Sequence, residues 1–280
     1  MNLAMEAYIP RIYLGEDEGF RLIKETGFDC VDYSFYWMQP DNTVLGDDYL
    51  FHANRVKALL DKYNLTCNQT HAPFTFSYGN PLDLTDSMYL SIVRSMEFSA
   101  ILGAKHVVVH GVKVPDGIDL LSYNLSFYRS LEPYCKKYGI RVAIENLFSS
   151  LKTIEVHNAL LDALDPECFV ALVDVGHAIL CGYTAQEYIR GIREGRLEGL
   201  HIHDNFGQAD DHMIPGIGVI QWDEVISALA DVKYSGDFTL ESWRFMAAYG
   251  PDMLKETIRM NYSAGRYFCN KLEKKLENAI

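Results

Sequence analysis

The sequence predicts a (β/α)8 barrel, and three observations carry that prediction. Short apolar runs alternate with longer amphipathic segments from one end of the chain to the other, the pattern of successive βα units on a parallel sheet. Eight such units can be counted, and no Gly/Ser/Pro-rich linker or low-complexity tract separates them, so residues 1–280 read as one barrel domain. The length of 280 residues suits a barrel, which typically takes about 250. A doubly wound sheet is the alternative, but no G-x-G-x-x-G follows the first apolar run.

Taken in order, the first strand is expected over Leu3–Ile9 and the first helix over Asp17–Thr26, with Gly27 in the position of a helix-ending glycine. Cys30–Tyr33 is the second strand and Asp48–Tyr63 the helix behind it. Thr66–Thr70 leads to a helix over Asp86–Leu102, which Thr85 and Asp86 start and Gly103 stops. His106–Val109 has the β-branched density of a strand buried on both faces, and its helix, Ser122–Tyr138, ends before Gly139. The remaining strands are Arg141–Ile144, Val170–Val173, Gly199–Ile202 and Phe238–Leu240, and the remaining helices Thr153–Leu164, Thr184–Glu194, Trp222–Ala230 and Asp252–Glu277. The tail of the last, residues 258–280, reads as a solvated amphipathic face of the final barrel helix, with a homo-oligomer contact as the alternative.

Composition narrows the function. Lys and Arg total 25 against 38 Asp and Glu, a net charge of −13, which disfavours attraction to nucleic acid or an anionic membrane. The six cysteines (Cys30, Cys67, Cys135, Cys168, Cys181, Cys269) are scattered, without a C-x-x-C pair, as reduced thiols of a cytoplasmic protein would be. No export signal or membrane-length apolar window stands out.

Barrel enzymes place their chemistry at the C-terminal ends of the strands. At or just past those ends stand His71, His110, Glu145, Asp174, His201 and Glu241, from the third strand to the eighth in turn; His177, Asp210 and His212 follow within the loops. Buried together without a cation, such groups would repel or desolvate one another, so their convergence argues for metal. His203 lies two residues beyond His201 and should share its side of the strand; only one of the two need be a ligand. Asp32 reads equally as a barrel-interior or a mouth residue. The aromatics Tyr33, Phe35, Tyr36 and Trp37 could stack on a sugar or pack the loop, and Trp243 with Arg244 carries the same ambiguity, Arg244 being a natural anion clamp.

These motifs (Thr-His71-Ala-Pro-Phe, Val-Val-His110-Gly, Ala-Ile-Glu145-Asn, Asp174-Val-Gly-His177-Ala, His201-Ile-His-Asp204-Asn, Asp210-Asp-His212-Met-Ile-Pro-Gly, Thr-Leu-Glu241-Ser) resemble, over nearly the whole chain, the xylose isomerase-like TIM barrel superfamily. It holds sugar and sugar-phosphate isomerases and epimerases and also endonuclease IV. The resemblance implies a metal site of Glu145, Asp174, His201 and Glu241. Likeness to ketose 3-epimerases further implies that Glu145 and Glu241 both ligate and shuttle the proton. The implied activity is a divalent-metal-dependent isomerase or epimerase of a small sugar or sugar phosphate, acting through an ene-diolate.

The endonuclease IV branch instead holds three zinc ions on nine residues, matched here by His71, His110, Glu145, Asp174, His177, His201, Asp210, His212 and Glu241. Five imidazoles and four carboxylates suit Mn, Zn, Fe or Co, one ion in the first reading and up to three in the second. His71, His110 and His177 stay open between further metal and substrate binding. Against a nuclease acting on abasic DNA, residues 34–49, 72–87 and 204–222 contain no Lys or Arg but carry Asp41, Asp47, Asp48, Asp83, Asp86, Asp210 and Asp211. Arg11, Lys113, Lys152 and Arg244 offer the cations near the rim, with Arg244 or Lys113 placed to grip one phosphate. A third reading, a non-catalytic sugar-binding barrel, is opposed by the intact glutamate pair.

Overall fold

The computed structural model describes residues 1–36, 44–75, 78–79, 82–114 and 116–278. Eight parallel strands form its sheet: β1 (Leu3–Glu6), β2 (Cys30–Ser34), β3 (Thr66–His71), β4 (His106–Val109), β5 (Arg141–Glu145), β6 (Phe169–Asp174), β7 (Leu197–His201) and β8 (Phe238–Leu240). Their order, β7-β6-β5-β4-β3-β2-β1-β8, is sequential apart from β8, which pairs with β1. A parallel bridge between Ile202 and Leu240 links β7 to β8, so the sheet curls into the expected nearly closed barrel.

The helices predicted behind the strands are present as α2 (Glu16–Thr26), α3 (Tyr49–Lys62), α4 (Ser87–Leu102), α5 (Leu120–Tyr138), α6 (Ile154–Ala163), α8 (Ala185–Gly191), α9 (Trp222–Asp231) and α11 (Leu254–Glu277). Gly27, Gly103 and Gly139 do end their helices, each in the left-handed conformation that glycine adopts without a Cβ penalty. The first strand is shorter than expected. It stops at Glu6, and the residues up to Leu14 turn into helix α1 (Tyr8–Leu14), where Pro10 falls in the first turn and breaks no intrahelical bond. Two more short helices, α7 (Val175–Leu180) and α10 (Trp243–Ala247), also lie in βα connections. At five to seven residues these segments are too short to print a 3.6-residue period on the sequence.

Most of the core lies between sheet and helices, where Phe20, Phe28, Phe98, Phe127, Tyr128 and Tyr188 are fully buried. Inside the barrel Val108, Ala143, Val170 and Leu172 make a separate apolar plug, while β2, β3 and β4 also carry the buried polar residues Asp32, Gln69 and His106, paired in register around the wall. Helix α11 packs on α2, α9, β1 and β8, with Gly265 so close to Leu240 that a Cβ would stand 2.5 Å from its Cδ1. It is thus the final barrel helix, and it covers the seam where β8 meets β1.

Candidate functional site

The strand ends deliver the candidates as the spacing required. His71, Glu145, Asp174 and His201 are the last residues of β3, β5, β6 and β7, and His110 and Glu241 directly follow β4 and β8. Asn146 ties two of these ends together: its amide nitrogen donates to the Asp174 carbonyl at 2.9 Å and its amide oxygen accepts from the Asp174 N–H at 2.8 Å. Asp174 also caps α7, accepting from the His177 backbone N–H at 2.7 Å. The Asp-x-x-His spacing is therefore a helix start that turns His177 toward the mouth.

Three groups of ligand-capable atoms result, the atoms within each lying no more than 4.8 Å apart. The first joins His71, His110 and Glu145: the two Nε2 atoms are 3.0 Å apart, and His110 Nε2 is 2.9 Å from Glu145 Oε2. The second is Glu145, Asp174, His201 and Glu241. In it His201 Nδ1 faces Glu145 Oε1 at 3.1 Å, Glu241 Oε2 at 3.4 Å and Asp174 Oδ2 at 4.0 Å. The third is His177, His203, Asp210 and His212, with Asp210 Oδ2 2.9 Å from His212 Nε2 and 3.4 Å from His177 Nε2. All nine sequence candidates fall in these groups, and Glu145 belongs to two of them.

The donor set fits a divalent cation. His71, His177 and His212 each place Nδ1 against a backbone carbonyl, of Ala72, Asn146 and Glu241, at 2.7, 3.0 and 2.8 Å. A proton donated there leaves the Nε2 lone pair of each ring aimed into its group, the tautomer a metal ligand needs. Glu241 Oε2 and Asp210 Oδ1 are buried and lack a hydrogen-bond partner among the described residues, although unpaired buried carboxylate oxygens are costly.

The protonation balance is polarised. Burial pushes Glu241 well above the usual carboxyl range, and the charges of Asp174 and Glu145 add to this against the pull of His201. Burial acts the same way on Glu145, but the imidazoles of His201 and His110 outweigh it and hold that carboxyl well below. The His203 ring, lowered by burial, is raised more by Asp174 and Asp210, to about 9.

Above the groups a cavity of about 230 Å³ opens at the barrel mouth, lined by Tyr36, Phe74, Phe148 and Trp243 over a floor that includes His110, Glu145, Asp210 and Glu241. It is smaller than the roughly 300–1,000 Å³ of typical ligand pockets, a size that suits a small molecule. Tyr36 donates its hydroxyl proton to Glu241 Oε1, so the aromatic wall is wired to the acid floor. Arg244 lines the cavity, its guanidinium carbon 5.0 Å from the Trp243 ring centre. Lys113 is exposed and is not among the lining residues; Trp37 lies outside the described residues. A larger cleft, about 680 Å³, opens at the other end of the barrel. Four of its cations are paired, Lys105 with Asp237, Arg141 with Glu198, Arg190 with Asp231 and Arg193 with Asp162, Lys233 also lines it, and it holds none of the three groups.

Sequence reasoning left three residues unassigned that the geometry brings in. His203 turns to the same side as His201, as alternation required, but joins the third group, and its Nε2 lies 3.0 and 3.1 Å from the two Asp174 oxygens. Gly176 makes room for it, since a Cβ there would come within 2.1 Å of the His203 ring. Asp32 proves to be a barrel-interior residue, fully buried, and meets His201 Nε2 at 3.2 Å. Glu6 ends β1, accepts from the Ser34 hydroxyl at 2.7 Å and is pushed up to about 8 by burial; nothing in the sequence marked it, because the first strand was expected to run on to Ile9.

A family model described as xylose isomerase-like TIM barrel matches residues 20–262. The chain belongs to that family. Among its relatives, the uncharacterized protein MJ1311 of Methanocaldococcus jannaschii is 27% identical over 234 residues, spanning 77% of this chain and 78% of the relative. Among solved structures, a D-tagatose 3-epimerase-like protein superposes with a TM-score of 0.70 at 21% identity, covering 94% of this chain and 99% of the other. The IolI protein, crystallised with a bound zinc atom, gives 0.75 at 17% identity, covering 98% and 99%. At these identities the structural likeness speaks for the xylose isomerase-like fold.

Proposed function

We propose that this xylose isomerase-like barrel is a divalent-metal-dependent isomerase or epimerase of a small sugar or sugar phosphate. The observation that carries the reading is the second group: Glu145, Asp174, His201 and Glu241 meet at the C-terminal rim, and Glu145 and Glu241 line the small aromatic-walled cavity that opens there. The epimerase neighbours support it, as does the zinc of IolI. Those four residues would hold the ion, which when bound supplies Lewis acidity toward a carbonyl and a neighbouring hydroxyl oxygen.

The chain's own residues do the rest. Tyr36, Phe74, Phe148 and Trp243 exclude water and offer faces to the C–H side of a sugar ring. Glu145 and Glu241 are the proton-transfer pair: one carboxylate takes a proton from the carbon beside the carbonyl, leaving an ene-diolate, and the other carboxyl returns one to carbon. Tyr36 holds Glu241 Oε1 by its hydroxyl, and Oε2 faces His201 Nδ1 at 3.4 Å. Arg244 stands where an anionic substituent would reach it.

The test pairs elemental analysis with isotope exchange. The purified protein should carry about one tightly held divalent ion, and a stripped sample should regain activity with Mn. Glu241→Gln should lose exchange of the substrate's carbon-bound proton with deuterated solvent by a factor of about 10² or more; full exchange in that variant removes Glu241 from the role. A multinuclear phosphoesterase is the second reading, favoured by the way the first and third groups flank the second and share its residues or their neighbours. Three zinc equivalents per chain would favour it.

A further inference from the structure

Behind the candidate ligand His201, on the side away from the cavity, the barrel interior holds a chain of polar groups that the proton-transfer scheme does not use. His201 Nε2 lies 3.2 Å from Asp32 Oδ2. Gln69 Nε2 donates to the same oxygen at 2.8 Å. His106 Nε2 in turn lies 3.2 Å from Gln69 Oε1. All four side chains are essentially inaccessible to solvent.

Asp32, Gln69 and His106 come from three successive strands and are register partners, Asp32 with Gln69 and Gln69 with His106. The register of β2 against β3 slips between Val31 and Asp32, an irregularity of the kind that re-aims a side chain. Gly199 on β7 completes the arrangement: a Cβ there would stand 2.8 Å from His106 Nε2 and 2.8 Å from Leu172 Cδ1, so a glycine is needed for the His106 ring to reach across. Three polar side chains in a barrel interior that is otherwise apolar on β4, β5 and β6 are costly unless they are bonded to one another and to something that needs them.

Their hydrogen bonds converge on Asp32. A His106 Nε2–H donates to the Gln69 carbonyl oxygen, which points the Gln69 amide hydrogens at Asp32. The carboxylate of Asp32 then accepts from Gln69 on one side and from His201 Nε2–H on the other. With its proton committed to Nε2, His201 keeps a lone pair on Nδ1, the nitrogen that faces Glu145, Glu241 and Asp174. Turning the ring over would break the bond to Asp32 and present carbon to the three carboxylates.

We infer that Asp32, aimed by Gln69 and His106, is a positioning residue that locks His201 in the Nε2–H tautomer and so tunes how tightly the second group binds a divalent ion. Partners of this type behind a ligating imidazole are worth roughly 10- to 100-fold in metal affinity. The inference rests on the proposed metal-dependent reading, and its test separates the two.

The test measures the Mn(II) or Co(II) dissociation constant of metal-stripped protein by competition with a chromophoric chelator, with no substrate present, beside the thermal unfolding of the same metal-free samples. Asp32→Ala should weaken the ion about 100-fold, and Asp32→Asn about 10-fold because an amide oxygen still accepts from His201. Gln69→Met keeps the volume, leaves His201 untouched and should weaken binding several-fold, so it serves if Asp32→Ala does not fold. In Zn-loaded protein labelled with ¹⁵N-histidine, the His201 Nε2 should carry the proton in the native chain.

Folded Asp32 variants that bind within twofold of the native chain, or a His201 Nε2 without a proton, overturn the inference and leave the isomerase reading standing. A native chain that takes up no divalent ion overturns both.

Discussion

His157 shows how a buried imidazole contributes to the response of this fold to acid. It is fully buried on α6, with Nε2 3.1 Å from the Ile144 carbonyl and Nδ1 3.3 Å from the Tyr188 hydroxyl. Burial lowers its pKa from 6.5 to about 4, against the raising effect of the Ile144 carbonyl. The native ring is therefore neutral where the unfolded ring takes a proton. Stability is full above pH 6.5, falls as the pH drops below it, and stops falling from this cause below about 4. The shift corresponds to at most roughly 3 kcal/mol. Denaturant unfolding of metal-free protein at pH 7 and at pH 4.5 should show a loss in the native chain that exceeds the loss in His157→Gln by about 2–3 kcal/mol. Parallel losses in the two proteins would mean that this ring does not control the acid limb.

Among the elements, the connection from β7 to α9 is the one the site depends on most, because it carries Asp210 and His212. Its anchor is Asp204, fully buried. One oxygen accepts from the N–H groups of Asn205 at 3.0 Å and Ile220 at 3.2 Å, the other from the Gly216 N–H at 3.0 Å and the Trp222 indole at 2.8 Å. Asp204 also exchanges both backbone bonds with Met213, which pins the residue beside His212. Removing the carboxylate leaves several buried donors unpaired, each costing about 1–3 kcal/mol. Asp204→Ala should therefore speed amide exchange at Gly216 and Ile220 by two or more orders of magnitude while amides of β4 and β5 keep their protection; uniform protection would make the loop self-supporting.

The same element marks how far the sequence could be read. Strand ends were legible because buried parallel strands are short continuous apolar runs, and a ligand-type residue directly after such a run has one place to go. That logic found His71, His110, Glu145, Asp174, His201 and Glu241. It could not divide His201 from His203 between two groups, because the division depends on where Asp174 and the turn of α7 fall in space. Nor could it assign Asp32 to His201, since the pairing rests on a register slip that leaves no mark in residue order. The contraction of β1 at Glu6 was hidden for a related reason: Ala7 to Ile9 is as apolar as a strand, and the helix that replaces it is only seven residues long.

At the scale of the whole molecule, charge bears on the two readings proposed for the ligand set. A net charge of −13 surrounds a cavity whose described lining offers Arg244 as its one Lys or Arg. Such a field draws small cations inward and repels a polyanion. A protein that gripped an abasic duplex through six or more phosphates would release as many counterions, and its affinity would fall with salt along a log–log slope near −5. Among the described residues Arg244 is the one Lys or Arg that lines the cavity, and four cations of the cleft at the other end are paired with Asp237, Glu198, Asp231 and Asp162. Fluorescence anisotropy with a labelled abasic duplex at about 50 mM salt, where electrostatic binding is strong, should accordingly show no saturable complex with the metal-loaded protein. A complex that forms at low salt and dissolves steeply as salt is added would favour the phosphoesterase reading over the proposed sugar chemistry.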